Sequence, residues 1–271
     1  MSFTTSMFAR LRLESSGIAS RLAKMPMIGT LLRGIGNRLL PRGTLVWTCV
    51  QRGPARGLWL LLDVRTGAEQ RRGEREPVVQ EAIRNSLSSG NVFYDLGANV
   101  GFFSLMVARQ VGPDGKVIAF EPDMEIAERL RRAAERNRLS NVTVVEAAVY
   151  SKKGVVAFER GLASPDRGIG HVTGSSEGAN HVPVQAITLD DYVKTAAPPH
   201  LIKCDVEGAE VEVFRGASKL LATQRPSVIC EVHSQENLET LRILFRNAGY
   251  NVKLLEPDSQ SPVHIFAEAA R

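Results

Sequence analysis

Val92-Phe93-Tyr94-Asp95-Leu96-Gly97-Ala98-Asn99-Val100-Gly101-Phe102-Phe103 is the stretch on which the fold of this chain turns. An apolar run stops at an acid, a tight turn with two glycines follows, and Phe102, Leu105 and Met106 then recur at helical spacing. Strand, turn and helix are expected in that order. In open α/β sheets a ligand lies at the carboxyl end of such a strand, where the helix N-terminus offers free N–H groups. Gly97 and Gly101 allow special backbone dihedrals and a close approach of the ligand.

Two nucleotide-binding patterns are missing. The turn has no third glycine to complete G-x-G-x-x-G, and no G-x-x-x-x-G-K-[ST] occurs anywhere in the chain. Asp95 at the strand tip would repel a pyrophosphate but attract a ligand carrying an ammonium and a sulfonium. That charge pattern points to S-adenosylmethionine, with Asp95, Gly97, Ala98, Asn99 and Gly101 around it. A second strand over 116–120 ends in Glu121-Pro122-Asp123. An acid there is placed to accept both ribose hydroxyls, which assigns Glu121 and its neighbour Pro122 to the ligand, while Asp123 caps the next helix. Adenine is expected beside Glu146 and Ala147 at the tip of the third strand, where Ala147 and Ala148 leave room for a flat ring.

The motifs Asp95-Leu96-Gly97-Ala98-Asn99-Val100-Gly101, Phe120-Glu121-Pro122, Leu201-Ile202-Lys203-Cys204-Asp205-Val206-Glu207-Gly208-Ala209-Glu210 and Cys230-Glu231-Val232-His233 occur in this order. Together they resemble the FkbM-type S-adenosylmethionine-dependent methyltransferases, over roughly residues 91–255. The family pattern usually has an aliphatic residue where Cys204 stands. The resemblance implies a doubly wound, Rossmann-like class I methyltransferase sheet of seven strands with the last antiparallel. It also implies O-methylation of a hydroxyl on a sugar, glycolipid or secondary-metabolite scaffold.

The catalytic candidates lie at the tips of the fourth and fifth strands. The strand 201–205 delivers Asp205, the first choice for a base or acceptor anchor, with Glu207 two residues on and Glu210 opening the next helix. Three carboxylates so close together are poorly explained by packing, although Glu207 and Glu210 also suit a helix N-terminus. Lys203 faces away from Cys204 and suits a structural ion pair. Period-two alternation puts Glu231 and His233 on one face, and His233 is a second candidate base because imidazole titrates near neutrality. A divalent cation held by Asp205, Glu231 and His233 is the lesser alternative, since hard cations prefer more oxygen ligands, and no metal ligand is assigned.

Outside the motifs, the 271 residues divide into a leader (1–43), an N-terminal hairpin and helix packing on the core (44–90), and a ligand-binding domain (91–271) with a Gly-rich insertion (151–199). Strands over 155–158 and 182–187 bracket the insertion, which is read either as a surface loop or as a lid over the acceptor. The net charge of +5 is concentrated in the leader, whose seven basic residues face Glu14 alone. The remaining 27 basic and 28 acidic residues nearly cancel, which argues against a nucleic-acid substrate, and the resemblance implies a small-molecule or glycan acceptor instead. No N/D-P-P-Y/F motif follows the fourth strand and no Pro-Cys nucleophile is present. A non-catalytic binding module on the same fold is the remaining alternative.

No apolar run of about 18 residues marks a transmembrane helix. Cys49, Cys204 and Cys230 show no paired spacing, which fits a reducing, cytoplasmic setting. Within the leader, Ile28, Leu31, Leu32, Ile35 and Leu39 recur at helical intervals. It reads as a helical cap on the main domain, a peripheral membrane-surface helix at the inner face of a membrane, or an organelle transit peptide. On the membrane reading, the full chain should sediment with anionic vesicles, less so as salt is added, and deletion of 1–43 should abolish this. A full chain that ignores such vesicles leaves the other readings.

Overall fold

The computed structural model describes residues 43–63, 65–160, 171–173, 181–256 and 262–270, with backbone alone at 171–173. Contacts divide the chain into Met1–Thr44 and Leu45–Arg271. The expected leader thus lies outside the described residues except for Gly43, as does most of the glycine-rich centre of the insertion.

Leu45–Cys49 and Trp59–Asp63 form an antiparallel hairpin, β1 and β2. Two helices follow, α1 (Ala68–Arg72) and α2 (Pro77–Ser86). Pro77 sits in the first turn of α2, where a missing N–H leaves no hydrogen bond unmade. Helix α1 has no counterpart among the sequence expectations, because five residues are too few to show a period.

The chain then alternates β3 (Val92–Leu96), α3 (Phe102–Val111), β4 (Lys116–Phe120), α4 (Met124–Arg136) and β5 (Val142–Val145). Helix α4 starts where expected because Asp123 caps it, accepting from the amides of Glu125 and Ile126. Next come four strands of a smaller sheet: β6 (Ala148–Val149), β7 (Gly154–Glu159), β8 (His171–Thr173) and β9 (His181–Ile187). The two strands expected inside the insertion are therefore paired, antiparallel, as β7 and β9. The remainder is α5 (Leu189–Tyr192), β10 (Leu201–Cys204), α6 (Glu210–Arg215), α7 (Ser218–Thr223), β11 (Ser227–Val232), α8 (Gln235–Asn247), β12 (Tyr250–Leu254) and β13 (Val263–Ala269).

The main sheet has seven strands in the order β12-β13-β11-β10-β3-β4-β5. The pairs from β11 to β5 are parallel, and the last strand, β13, runs antiparallel between β11 and β12, as the family resemblance implies. Each face carries its own core. Tyr94, Leu96, Phe120, Ile202 and Val232 pack on one side, and Phe93, Val117, Leu201, Ile229 and Phe266 on the other, with α3 residues such as Leu105. Strands buried on both faces explain the nearly continuous apolar runs in the sequence.

The register of this sheet builds the polar tip. Asp95 lies opposite Lys203, and Glu231 opposite His264. These residues continue, at period two, the rows begun by Phe93, Leu201, Ile229 and Phe266, so they share that face. Gly97 closes the turn after β3 at φ +76°, and a Cβ there would lie 1.9 Å from the Asp205 carbonyl oxygen. Gly97→Ala must therefore strain the backbone and displace the Asp205 segment. We expect a loss of roughly 2–4 kcal/mol in urea unfolding, and a variant as stable as the parent would show that the two turns are free to part.

Candidate functional site

A cavity of about 1060 Å³ opens at the carboxyl ends of β3, β4 and β10. That size suits a nucleoside-bearing ligand with an acceptor beside it. Asp95, Gly97, Ala98, Asn99, Glu121, Pro122, Glu146 and Ala147 all line it, as do Asp205 and Glu207.

The turn after β3 is held from below and from the side. The Gly97 and Ala98 amides both donate to the Phe120 carbonyl at 3.0 Å, which ties this turn to β4. Asn99 adopts φ +49°, and its amide donates to Glu121 Oε2 at 2.8 Å. Gly101 continues the turn at φ +88°, where a Cβ would meet Leu130 of α4 at 2.4 Å. Glu121 Oε1 accepts from the Asp123 amide at 2.9 Å. The one carboxylate thus clasps both turns, and its remaining lone pairs are what a ribose diol would use. Burial pushes the Glu121 pKa up to about 7, against the pull of those two amides.

Asp95 is 1% exposed; its Oδ2 accepts from Ser104 Oγ of α3 at 2.5 Å, while Oδ1 is buried with no hydrogen-bond partner. Burial raises its pKa, with Lys203 pulling the other way. An orphaned carboxylate oxygen in the cavity wall fits a ligand that brings its own cationic donor. At the far side Ala147 is buried, and Glu146 pairs with Arg131 at 2.5 Å.

At the β10 tip, Lys203 is 3% exposed, lies over the Phe103 ring at 4.8 Å and reaches Asp205 Oδ2 at 3.3 Å. Burial opposes its charge, but Asp205, Glu76 and Asp95 outweigh that penalty and raise its pKa. Arg75 approaches from the segment before α2, 2.8 Å from Glu76 Oε1 and 3.7 Å from Asp205 Oδ2. Both Arg75 and Lys203 line the cavity. Asp205 Oδ1 is buried without a hydrogen-bond partner. Two cations thus steady one oxygen of Asp205 and leave the other available.

His233 is placed differently from the base expected of it. Its Nδ1 lies 2.5 Å from Glu210 Oε1 and its Nε2 3.1 Å from Glu207 Oε2. Burial disfavours the charged ring, but the two carboxylates overcome this and push its pKa up to about 11. An imidazolium at neutral pH has no lone pair with which to take a proton, and His233 is not among the described residues lining the cavity. Its place is structural: Glu210, 0% exposed, also accepts from the Gly208 amide and from Asn237 Nδ2, locking the β10 and β11 loops together. Glu207, at φ +51°, bridges this lock and the cavity wall. Glu231 lies outside the lining; burial, then Asp205 and Glu76, push its pKa up to about 7.

Arg75, Glu76 and His264 were not singled out from the sequence. Glu76 precedes Pro77 and reads there only as a helix start, and His264 gains its place solely by pairing with Glu231.

Residues 95–252, more than half of the chain, match the family model described as the methyltransferase FkbM domain. The chain belongs to this family, and its sheet is the Rossmann-like one of S-adenosylmethionine methyltransferases. It is 26% identical over 179 residues to the hexuronic acid methyltransferase AglP of Haloferax volcanii, covering 65% of this chain and 66% of that protein. It is 28% identical over 171 residues to methyltransferase sdnD of Sordaria araneosa, covering 49% and 63%. The chain thus spans just under two thirds of the length of these two curated relatives. A solved methyltransferase FkbM from Methylobacillus flagellatus KT is similar at 18% identity and a TM-score of 0.49, over 67% of this chain and 44% of that one. Among the described residues, no helix is long and apolar enough to cross a membrane.

The raised pKa of Glu121 gives binding a pH signature. Ribose hydroxyls donate to the ionised carboxylate, so affinity should rise with pH through about 7. The ionised fraction changes about tenfold between pH 6 and pH 8. Calorimetric affinity for S-adenosylhomocysteine should follow it, and Glu121→Gln should bind more weakly, by roughly 1–3 kcal/mol, with that slope gone. A parent protein with a flat profile removes Glu121 from the ribose.

Proposed function

We propose that this protein transfers the methyl group of S-adenosylmethionine to a hydroxyl of a sugar or similar small-molecule acceptor. The observation that carries the reading is Asp205 in the cavity wall, one oxygen steadied by Lys203 and the other buried without a partner. The donor supplies a methyl carbon already activated by the sulfonium. The protein's part is alignment, exclusion of water and removal of one proton. Glu121 orients the ribose, and the acidic wall at Asp95 suits the cationic end of the donor. As the acceptor oxygen bonds to the methyl carbon, the sulfur leaves with the C–S electron pair and the hydroxyl proton passes to Asp205 Oδ1.

Glu207 lies on the same wall and suits a hydrogen bond to a neighbouring hydroxyl of the acceptor. A sugar-class acceptor is favoured by the Haloferax volcanii relative, whose name gives hexuronic acid as its substrate. Asp205→Asn keeps the shape but removes the proton acceptor. In a radiolabelled methyl-transfer assay over a panel of glycosides and uronic acids, it should lower kcat by about 10²–10⁴ while binding S-adenosylhomocysteine normally. Full turnover in this variant would move the proton to another group.

A further inference from the structure

Beneath the acceptor side of the cavity, the segment before α2, strand β11 and strand β13 bring one polar group each to a common point. His264 is 9% exposed, and its Nε2 is buried with no hydrogen-bond partner. That nitrogen faces Glu76 Oε2 at 3.5 Å and Glu231 Oε2 at 3.9 Å. Glu76 Oε2 is likewise buried without a hydrogen-bond partner. All three ligand atoms lie within 4.8 Å of one another. We propose that Glu76, Glu231 and His264 form a divalent-cation site of the zinc type, which ties the segment carrying Arg75 to the tip of the sheet.

The surroundings have the form that a metal site needs. A metal-ligating histidine characteristically donates its other ring N–H to a carboxylate, which fixes tautomer and orientation. His264 Nδ1 lies 3.0 Å from Glu256 Oε2, leaving Nε2 as the ligand. Glu76 is oriented in the same way, with Oε1 held by Arg75 at 2.8 Å and Oε2 turned toward the histidine. Tetrahedral ligands about 2.1 Å from a zinc ion are about 3.4 Å apart. The His264–Glu76 separation already matches, Glu231 must close on His264 by about half an ångström, and Glu76 and Glu231 lie within 4.8 Å of each other.

Charge points the same way. Glu76, Asp205, Glu231 and Glu256 gather round Lys203 and Arg75, and Glu76, Glu256 and Glu231 raise the pKa of His264 against its burial, so a divalent ion here takes the place of the His264 proton. One imidazole with two carboxylates, and a fourth position for water, favours zinc over magnesium, which prefers an all-oxygen octahedron.

This site is distinct from the Asp205, Glu231 and His233 grouping considered from the sequence. There the histidine has both nitrogens engaged, by Glu207 and Glu210. It also stands independently of the proposed acceptor. The test is equilibrium dialysis of the EDTA-stripped full chain against zinc alone, with bound metal counted by elemental analysis. One equivalent is expected, with a rise in the thermal unfolding midpoint on zinc addition. His264→Ala should lose both effects, and Glu256→Gln, which leaves every ligand in place, should weaken binding about 10–100-fold. Zinc uptake by the parent that is absent, or that persists unchanged in both variants, overturns the site. Magnesium bound as tightly as zinc overturns the imidazole's part in it.

Discussion

The tip of the sheet is organised around one buried charge, the ammonium of Lys203. A cation taken this far out of water is tolerated only with close counter-charges. Asp205 supplies the nearest, and Glu76 and Asp95 add to it. Each comes from a different part of the chain: Asp95 from β3, Asp205 from the loop after β10, and Glu76 from the segment before α2. The requirement to neutralise Lys203 therefore draws the N-terminal hairpin region, β3 and β10 into one arrangement. Arg75 completes it from the hairpin side by bridging Glu76 and Asp205.

Around that charge the backbone is pressed into costly shapes. Glu76, Asn99 and Glu207 all have positive φ although none is glycine. Such conformations persist where surrounding contacts over-determine them, as they do at sites that must be ready before the ligand arrives. Asn99 is held by Glu121, and Glu207 by the protonated His233. Gly97 lies against the Asp205 carbonyl so closely that no other residue fits. The cavity walls after β3 and after β10 are thus coupled by contact between two turns.

Much of this was legible from local pattern. Asp95 and Gly97 at the end of β3 and Glu121 after β4 line the cavity from positions set by their own strands and turns, so a linear reading finds them. Asp123 as a helix cap and the boundaries of β11 are of the same kind. His233 shows where such reading fails. Its spacing from Glu231 places it near the site, yet its protonation depends on Glu207 and Glu210, which reach it across the loops between strands. The insertion shows a milder failure. Its strands were visible, but their pairing into a separate small sheet with β6 was not.

The sequence by itself determined the strand-and-helix rhythm, the kind of ligand that an acid-tipped glycine turn accepts, and the family to which the motif order belongs. These follow from periodicity and from residues close in sequence, whose mutual geometry the backbone nearly dictates. Only the tertiary structure decided which carboxylate stays free, which histidine is locked as a cation, and that Glu76 and His264 belong at the tip at all. Those outcomes depend on sheet register between strands far apart in the chain. They depend also on burial, which sets the charge of each group by the company it keeps rather than by its own chemistry.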